Sequence, residues 1–198
     1  EKNRDHHYGF INYTTALRSD KILFNSEFHK DSFINALRKF LKQFPDHNEL
    51  SNVDKIEKKS IVSYLGLDLK IFNDYKISSI NKIPIILWNH RWEYDKNPEL
   101  FFNTLKKVKS EGVKFKLVIL GENFNKCPSI FIHSKEIFKN EILHIGYCET
   151  RSEYLNWLAI SDILPVTSIQ DFFGISIVEA IAMNNYPILP NRLSYPEL

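Results

Sequence analysis

Cysteine is nearly absent from this 198-residue chain, with Cys127 and Cys148 the whole supply. Two thiols cannot build a disulfide framework, and their spacing is not that of metal ligands. The composition therefore reads as that of a reduced, cytoplasmic chain. An excess of one charge is lacking too. Lysine and arginine number 26 against 24 aspartates and glutamates, mixed along the length, for a net charge of +2. That balance does not argue for nucleic acid on electrostatics alone. No apolar run approaches the ~20 residues a helix needs to cross a bilayer, so no membrane segment is expected. The opening EKNRDHHYGF has neither an initiator methionine nor a signal-peptide pattern, and the closing SYPEL reads as a turn leading onward. Both ends read as those of a piece of a longer protein.

Several chemistries are missing as motifs. There is no Walker-type glycine–lysine loop and no GxGxxG after a strand, which argues against a P-loop enzyme and a dinucleotide dehydrogenase. No Asp-x-Asp pair offers itself to a nucleotide-bound metal, and no metal site is expected. The histidines are scattered and make no case for a triad; the pair in RDHHYGF reads as surface residues at a helix end.

What is present is a core and a rhythm. Hydrophobic residues make up 43% of the chain and aromatics 14%, enough for a packed interior. From residue 84 onward, short apolar runs recur at 84–89, 115–120, 142–145, 162–166 and 186–190. Runs apolar on both faces suit buried parallel strands. Helical patterns lie between them. One has Asn97 to cap it, Pro98 in its first turn and Gly112 past its end; a second opens on the capping-box pair Thr150 and Glu153; a third starts near Gly174. Strand and helix in strict turn predict an α/β fold with a doubly wound parallel sheet. Residues 1–75 read as the tail end of another domain, with one strand at KILFN and helical patterns at 8–18, 29–43 and 53–64. Residues 76–83 read as a linker, and 84–198 as the sheet domain, truncated at its end.

Ligands of doubly wound sheets lie at the carboxyl ends of the strands. The loop after the first strand, NHRWEYDK, puts Arg91 and Lys96 there. A planar fork and a point charge suit a diphosphate, though the same residues fit an ordinary solvated loop. The helix opening at Gly174 and Ile175 offers free N–H groups and roughly half a positive charge to an anion. Glu179 falls on that helix's apolar face, with Ile175, Ala182 and Met183 as neighbours. It lies five residues, ~7.5 Å, along the helix from its start, about the reach from a diphosphate to a ribose. A buried carboxylate needs donors, and either two ribose hydroxyls or a salt bridge to a nearby cation would satisfy it. Asp171 reads equally as a helix N-cap or as a catalytic group.

The spacing Asp171–x7–Glu179 resembles the acid–x7–acid signature of retaining glycosyltransferases of family 4, which have the GT-B fold. GLDLKIF (66–72) is similar to that family's interdomain segment, and FNSEFHKDSF (24–33) to its NSEF element. Closer still, ILWNHRWEYDKNPELFF, FFGISIVEA, the terminal YPEL and YGFINYTTAL resemble the tRNA-queuosine mannosyltransferase branch. The resemblance implies an enzyme that moves mannose from the donor GDP-mannose to queuosine in tRNA, its one macromolecular partner, without a metal or other cofactor. It implies that Arg91 and Lys96 neutralise the departing diphosphate, and that Gly174 with the helix from Ile175 binds phosphate oxygens. Glu179 would hold the ribose and Asp171 contact the sugar, while Gly121, Gly146 and Tyr147 border the base. It makes residues 1–75 part of the acceptor-side domain. One departure stands out: the family usually has Glu where this chain has Asp171, a carboxylate reaching about one methylene less far.

Two rivals remain open at this level: a family 4 enzyme with another donor and a glycan or lipid acceptor, and a non-catalytic binder of nucleotide sugar and RNA. Lys30, Arg38, Lys39 and Lys42 on the 29–44 segment offer cations to tRNA, and equally the polar face of any amphipathic surface helix.

Overall fold

The structure, a computed structural model, describes residues 6–75, 81–122 and 128–198. The chain forms two compact units, Glu1–Leu65 and Gly66–Pro196. The first holds α1 (His7–Arg18), β1 (Ile22–Phe24), α2 (Glu27–Leu41), α3 (Leu50–Lys58) and β2 (Ser60–Val62). Ser26 caps α2 by accepting from the His29 amide. The apolar stripes of the three helices meet in a core of Tyr13, Ile34, Leu37, Leu41, Val53 and Ile56. The expected helix over 53–64 is corrected here. It ends at Lys58, and the β-branched pair Ile61–Val62 leaves helical geometry to run parallel beside β1. A second strand to pair with outweighs local propensity.

Segment 66–75, expected with the N-terminal part, belongs to the second unit. Its short helix α4 (Leu69–Asn73) buries Phe72 in that unit's core. Most of the expected linker, residues 76–80, lies outside the described residues, as does Cys127. Beyond it the expected rhythm is there. The chain runs β3 (Ile85–Asn89), α5 (Pro98–Ser110), β4 (Lys116–Leu120), α6 (Ile130–Ile137), β5 (Ile142–Gly146), α7 (Arg151–Ile160), β6 (Ile163–Pro165), α8 (Ile175–Ala182) and β7 (Tyr186–Ile188). All strands are parallel in the order β5-β4-β3-β6-β7, so the chain starts in the middle, winds one way, then crosses back.

Strand periodicity divides the core cleanly. Ile86 and Trp88 of β3 and Leu117 and Ile119 of β4 face α5 and α6, where Phe101, Phe102, Phe131 and Phe138 form an aromatic wall. The intervening Leu87, Val118 and Leu120 face α7 and α8, meeting Leu155, Leu158, Ile177 and Ala180. Among the described residues no helix is long and apolar enough to cross a membrane. Phe102, fully buried between Trp88, Phe131 and Phe138, is the keystone of the aromatic wall. Phe102→Ala should cost about 3–5 kcal/mol in chemical denaturation. A loss below about 1 kcal/mol would mean that the wall is not packed as described.

Candidate active site

At the carboxyl ends of β3, β4 and β5 lies a cavity of about 390 Å³, lined by Asn89, His90, Arg91, Gly121, Tyr147, Arg151 and Tyr154 among others. Its walls are held by hydrogen bonds to main-chain carbonyls. Trp88 Nε1 donates to the His90 carbonyl (3.1 Å), Trp92 N to the Glu122 carbonyl (3.2 Å), and Gly121 N to the Gly146 carbonyl (3.2 Å). Gly121 has φ +136°, and a Cβ there would lie 2.0 Å from the His90 carbonyl oxygen. Only glycine fits. Arg91 stands at this cavity with an exposed guanidinium, 3.0 Å from Glu93. Tyr147 is exposed beside it.

Lys96 is placed differently. It ends a 3-10 turn, Tyr94–Lys96, and its ammonium is buried. There it lies 3.3 Å from both Asp95 and Asp171 and donates to the Gln170 carbonyl (3.0 Å). Thr167 Oγ1 donates to the Lys96 carbonyl, and Ile169 N to that of Asp95, which straps the loop after β6 onto this turn. Asp171 is not the cap of α8. Its Oδ1 accepts from the Phe173 amide two residues on, and Gly174, with φ +81°, occupies the cap position. Tyr195 Oη donates to the other Asp171 oxygen (3.4 Å). Neither Lys96, Asp171, Gly174 nor Ile175 lines the cavity.

Glu179 is buried on α8, as its spacing predicts, and here the salt-bridge alternative is realised. Arg151 donates to Oε1 at 2.5 Å and the Tyr154 hydroxyl to Oε2 at 2.9 Å. Burial, then the Glu179 charge, push the Tyr154 hydroxyl's pKa well above its ordinary value, so it donates as the neutral phenol. In the sequence, Arg151 and Tyr154 stand out only as part of a capped helix. Their i, i+3 spacing, which puts both on one side of α7, is the available signal.

One group among the described residues could hold a metal ion: the ligand atoms of His144, Cys148 and Glu153 lie within 4.8 Å of one another. Burial, then Glu153, push the Cys148 thiol up to about 11, so it stays protonated at neutral pH. Glu153 already accepts from the Glu149 amide.

The family model described as glycosyl transferases group 1 matches residues 71–198. The chain belongs to the group 1 glycosyl transferases. In this family member, residues 1–67 match a second model, described as the N-terminal part of tRNA-queuosine alpha-mannosyltransferase. The Drosophila melanogaster protein of that name is 36% identical over 205 residues, covering 100% of this chain and 54% of its own length. The chain thus spans about half the length of that curated relative. Among solved structures, a glycosyltransferase from Rickettsia africae matches with a TM-score of 0.69 at 21% identity, over 98% of this chain and 50% of that one. The Anabaena HepE protein in complex with UDP-glucose matches at 0.71 and 17% identity, over 98% and 51%. At such identities the likeness is one of fold, and the second unit of this group 1 glycosyl transferase has the expected doubly wound sheet of a GT-B C-terminal domain.

Its cavity also contains a pH-sensitive group. Burial, then Lys96, push His90 down to about 4 from an ordinary 6.5, against the opposing pull of Asp171 and Asp95. Between those values the unfolded chain binds a proton that the folded chain refuses. Stability is therefore fully present above pH 6.5 and falls by roughly 3 kcal/mol as pH drops to about 4. Urea denaturation across that window should show a steeper pH slope for the native protein than for His90→Gln. Equal slopes would contradict a neutral, buried His90.

Proposed function

We propose that this group 1 glycosyl transferase supplies the donor-binding part of an enzyme that moves mannose from GDP-mannose to queuosine in tRNA. The single observation that carries the reading is the match of residues 1–67 to the N-terminal model of tRNA-queuosine alpha-mannosyltransferase, joined in one chain to the group 1 glycosyl transferase match. A tRNA acceptor suits the cytoplasm.

In the proposed reaction the sugar leaves a nucleoside diphosphate and keeps its anomeric configuration. What the protein must chiefly do is stabilise the charge that builds on the leaving oxygen, and no metal is needed for it. Two guanidiniums, Arg91 and Arg151, border the cavity and can take phosphate oxygens as planar forks. Lys96, held by Asp95 and Asp171, adds a fixed positive charge, and the N-terminus of α8 at Gly174 and Ile175 a partial one. The base lies against Gly121, Gly146 and Tyr147. The ribose hydroxyls reach Glu179 by replacing Arg151, which frees that guanidinium for the diphosphate. Asp171 contacts the sugar, its carboxylate aimed by the Phe173 amide and Lys96.

The test uses the complete protein that carries this chain, labelled GDP-mannose, and bulk tRNA from cells grown with or without queuine. Label should enter tRNA only when queuosine is present, and Arg91→Ala should lower the rate about a hundredfold. Among the described residues the exposed Arg91 pairs with Glu93 alone, so the melting temperature should hardly move. Label in neither tRNA sample would reject the acceptor. An unchanged Arg91→Ala rate would reject the leaving-group role.

A further inference from the structure

His90 is a residue of this cavity whose chemistry the preceding roles leave unused. It follows β3 directly, is 5% exposed, and lines the cavity. Its ring stands edge-on to Trp88 at 5.2 Å between centroids. Its main chain is gripped on two sides, by the Trp88 indole and by the close approach of Gly121. Yet its Nε2 has no hydrogen-bond partner among the described residues. A buried polar atom without a partner costs about 1–3 kcal/mol, and a phenylalanine would fill the space without that cost. Packing alone does not explain a histidine here. Asn89, the other cavity residue with a buried unpartnered atom, its Oδ1, has a structural role that His90 lacks, because its Nδ2 donates to the Ser176 carbonyl (2.7 Å) and ties β3 to α8.

The place of His90 says what the missing partner is. It belongs to the cavity of Arg91 and Arg151, and it also feels the charges of Lys96, Asp95 and Asp171. On the donor reading above, in which Arg91 and Arg151 take the diphosphate and Asp171 the sugar, a residue near both groups stands where the two join. We propose that His90 hydrogen-bonds a hydroxyl of the transferred hexosyl group and so helps select the sugar of the donor. Being neutral at physiological pH, the imidazole suits an uncharged hydroxyl better than a phosphate, for which guanidiniums lie nearby. This rests on the donor reading given above and adds a sugar-selecting residue to it.

The test pairs the enzyme with its donor in the complete protein. Wild type, His90→Phe and His90→Asn are compared with GDP, GDP-mannose and GDP-mannose analogues lacking one hydroxyl each. All three proteins should bind GDP within about twofold of one another, which shows an intact nucleotide site. One deoxy analogue should lose about tenfold in kcat/KM with wild type and nothing further with His90→Phe. His90→Asn, which keeps a donor and an acceptor, should restore part of the loss. If every deoxy analogue is penalised equally in wild type and His90→Phe, the contact does not exist. If wild type binds neither GDP nor GDP-mannose, the donor reading fails and the inference falls with it, an outcome distinct from the first because GDP binding itself is lost.

Discussion

The carbonyl of His90 and the α-carbon of Gly121 approach each other so closely that no side chain fits between them, and the arrangement of the site follows from this. Strands β3 and β4 end in register, Asn89 opposite Leu120, so the residues just beyond them emerge together at the same edge. Because residue 121 is glycine, the two loops close on each other instead of splaying. Trp92 then bonds the neighbouring main chain, and Gly121 reaches across to Gly146 at the end of β5. Three loops become one wall made mostly of backbone. Side chains mounted on that wall, Arg91 above all, can vary in chemistry without changing its shape.

Behind the wall, the buried charges among the described residues stand in clusters of opposite sign or beside donors. Lys96 sits between two carboxylates, and Glu179 between a guanidinium and a phenol. An unanswered ion in such a place would cost several kcal/mol. The two clusters differ in access. Lys96 and both of its carboxylates are largely covered, whereas Arg151 is half exposed while its partner is buried. Separating such a pair leaves the guanidinium at the surface and only the carboxylate in need of a new partner. Glu179 is thus the buried carboxylate whose charged partner is the more open to solvent.

Much of this was legible in the sequence. The apolar runs of β3 and β4 named themselves because both faces are buried, and the caps at Asn97 and Thr150 lie where their spacing puts them. The loop bearing Arg91 was legible because strand ends are where such sheets keep their ligands. What escaped were features that exist only in three dimensions. Ser60–Val62 follows a helical pattern without a break, and its strand identity comes from β1, some 40 residues earlier in the chain. Arg151 and Tyr154 carry no local sign of their contacts, since the carboxylate they hold lies on another helix. Asp171 stands where a cap would stand, but the chain spends three more residues on a turn before α8 begins. His90 passed as one scattered histidine among seven until its burial was known.

The order of the strands has a consequence for how the protein comes into being. β3 is the first strand of its sheet to be synthesised and lies at the centre, yet its second neighbour pairs through Ile163, 77 residues after Ile86. At ribosomal speeds that interval is on the order of four to fifteen seconds. Throughout it, the emerging strand IILWN, without a single charge, presents an open hydrogen-bonding edge and an uncovered apolar face. A hairpin protein would have closed that edge within a few residues of synthesis. Here the most buried strand of the mature fold is also the one longest exposed during birth, and the nascent chain has to be kept from its neighbours until β6 arrives.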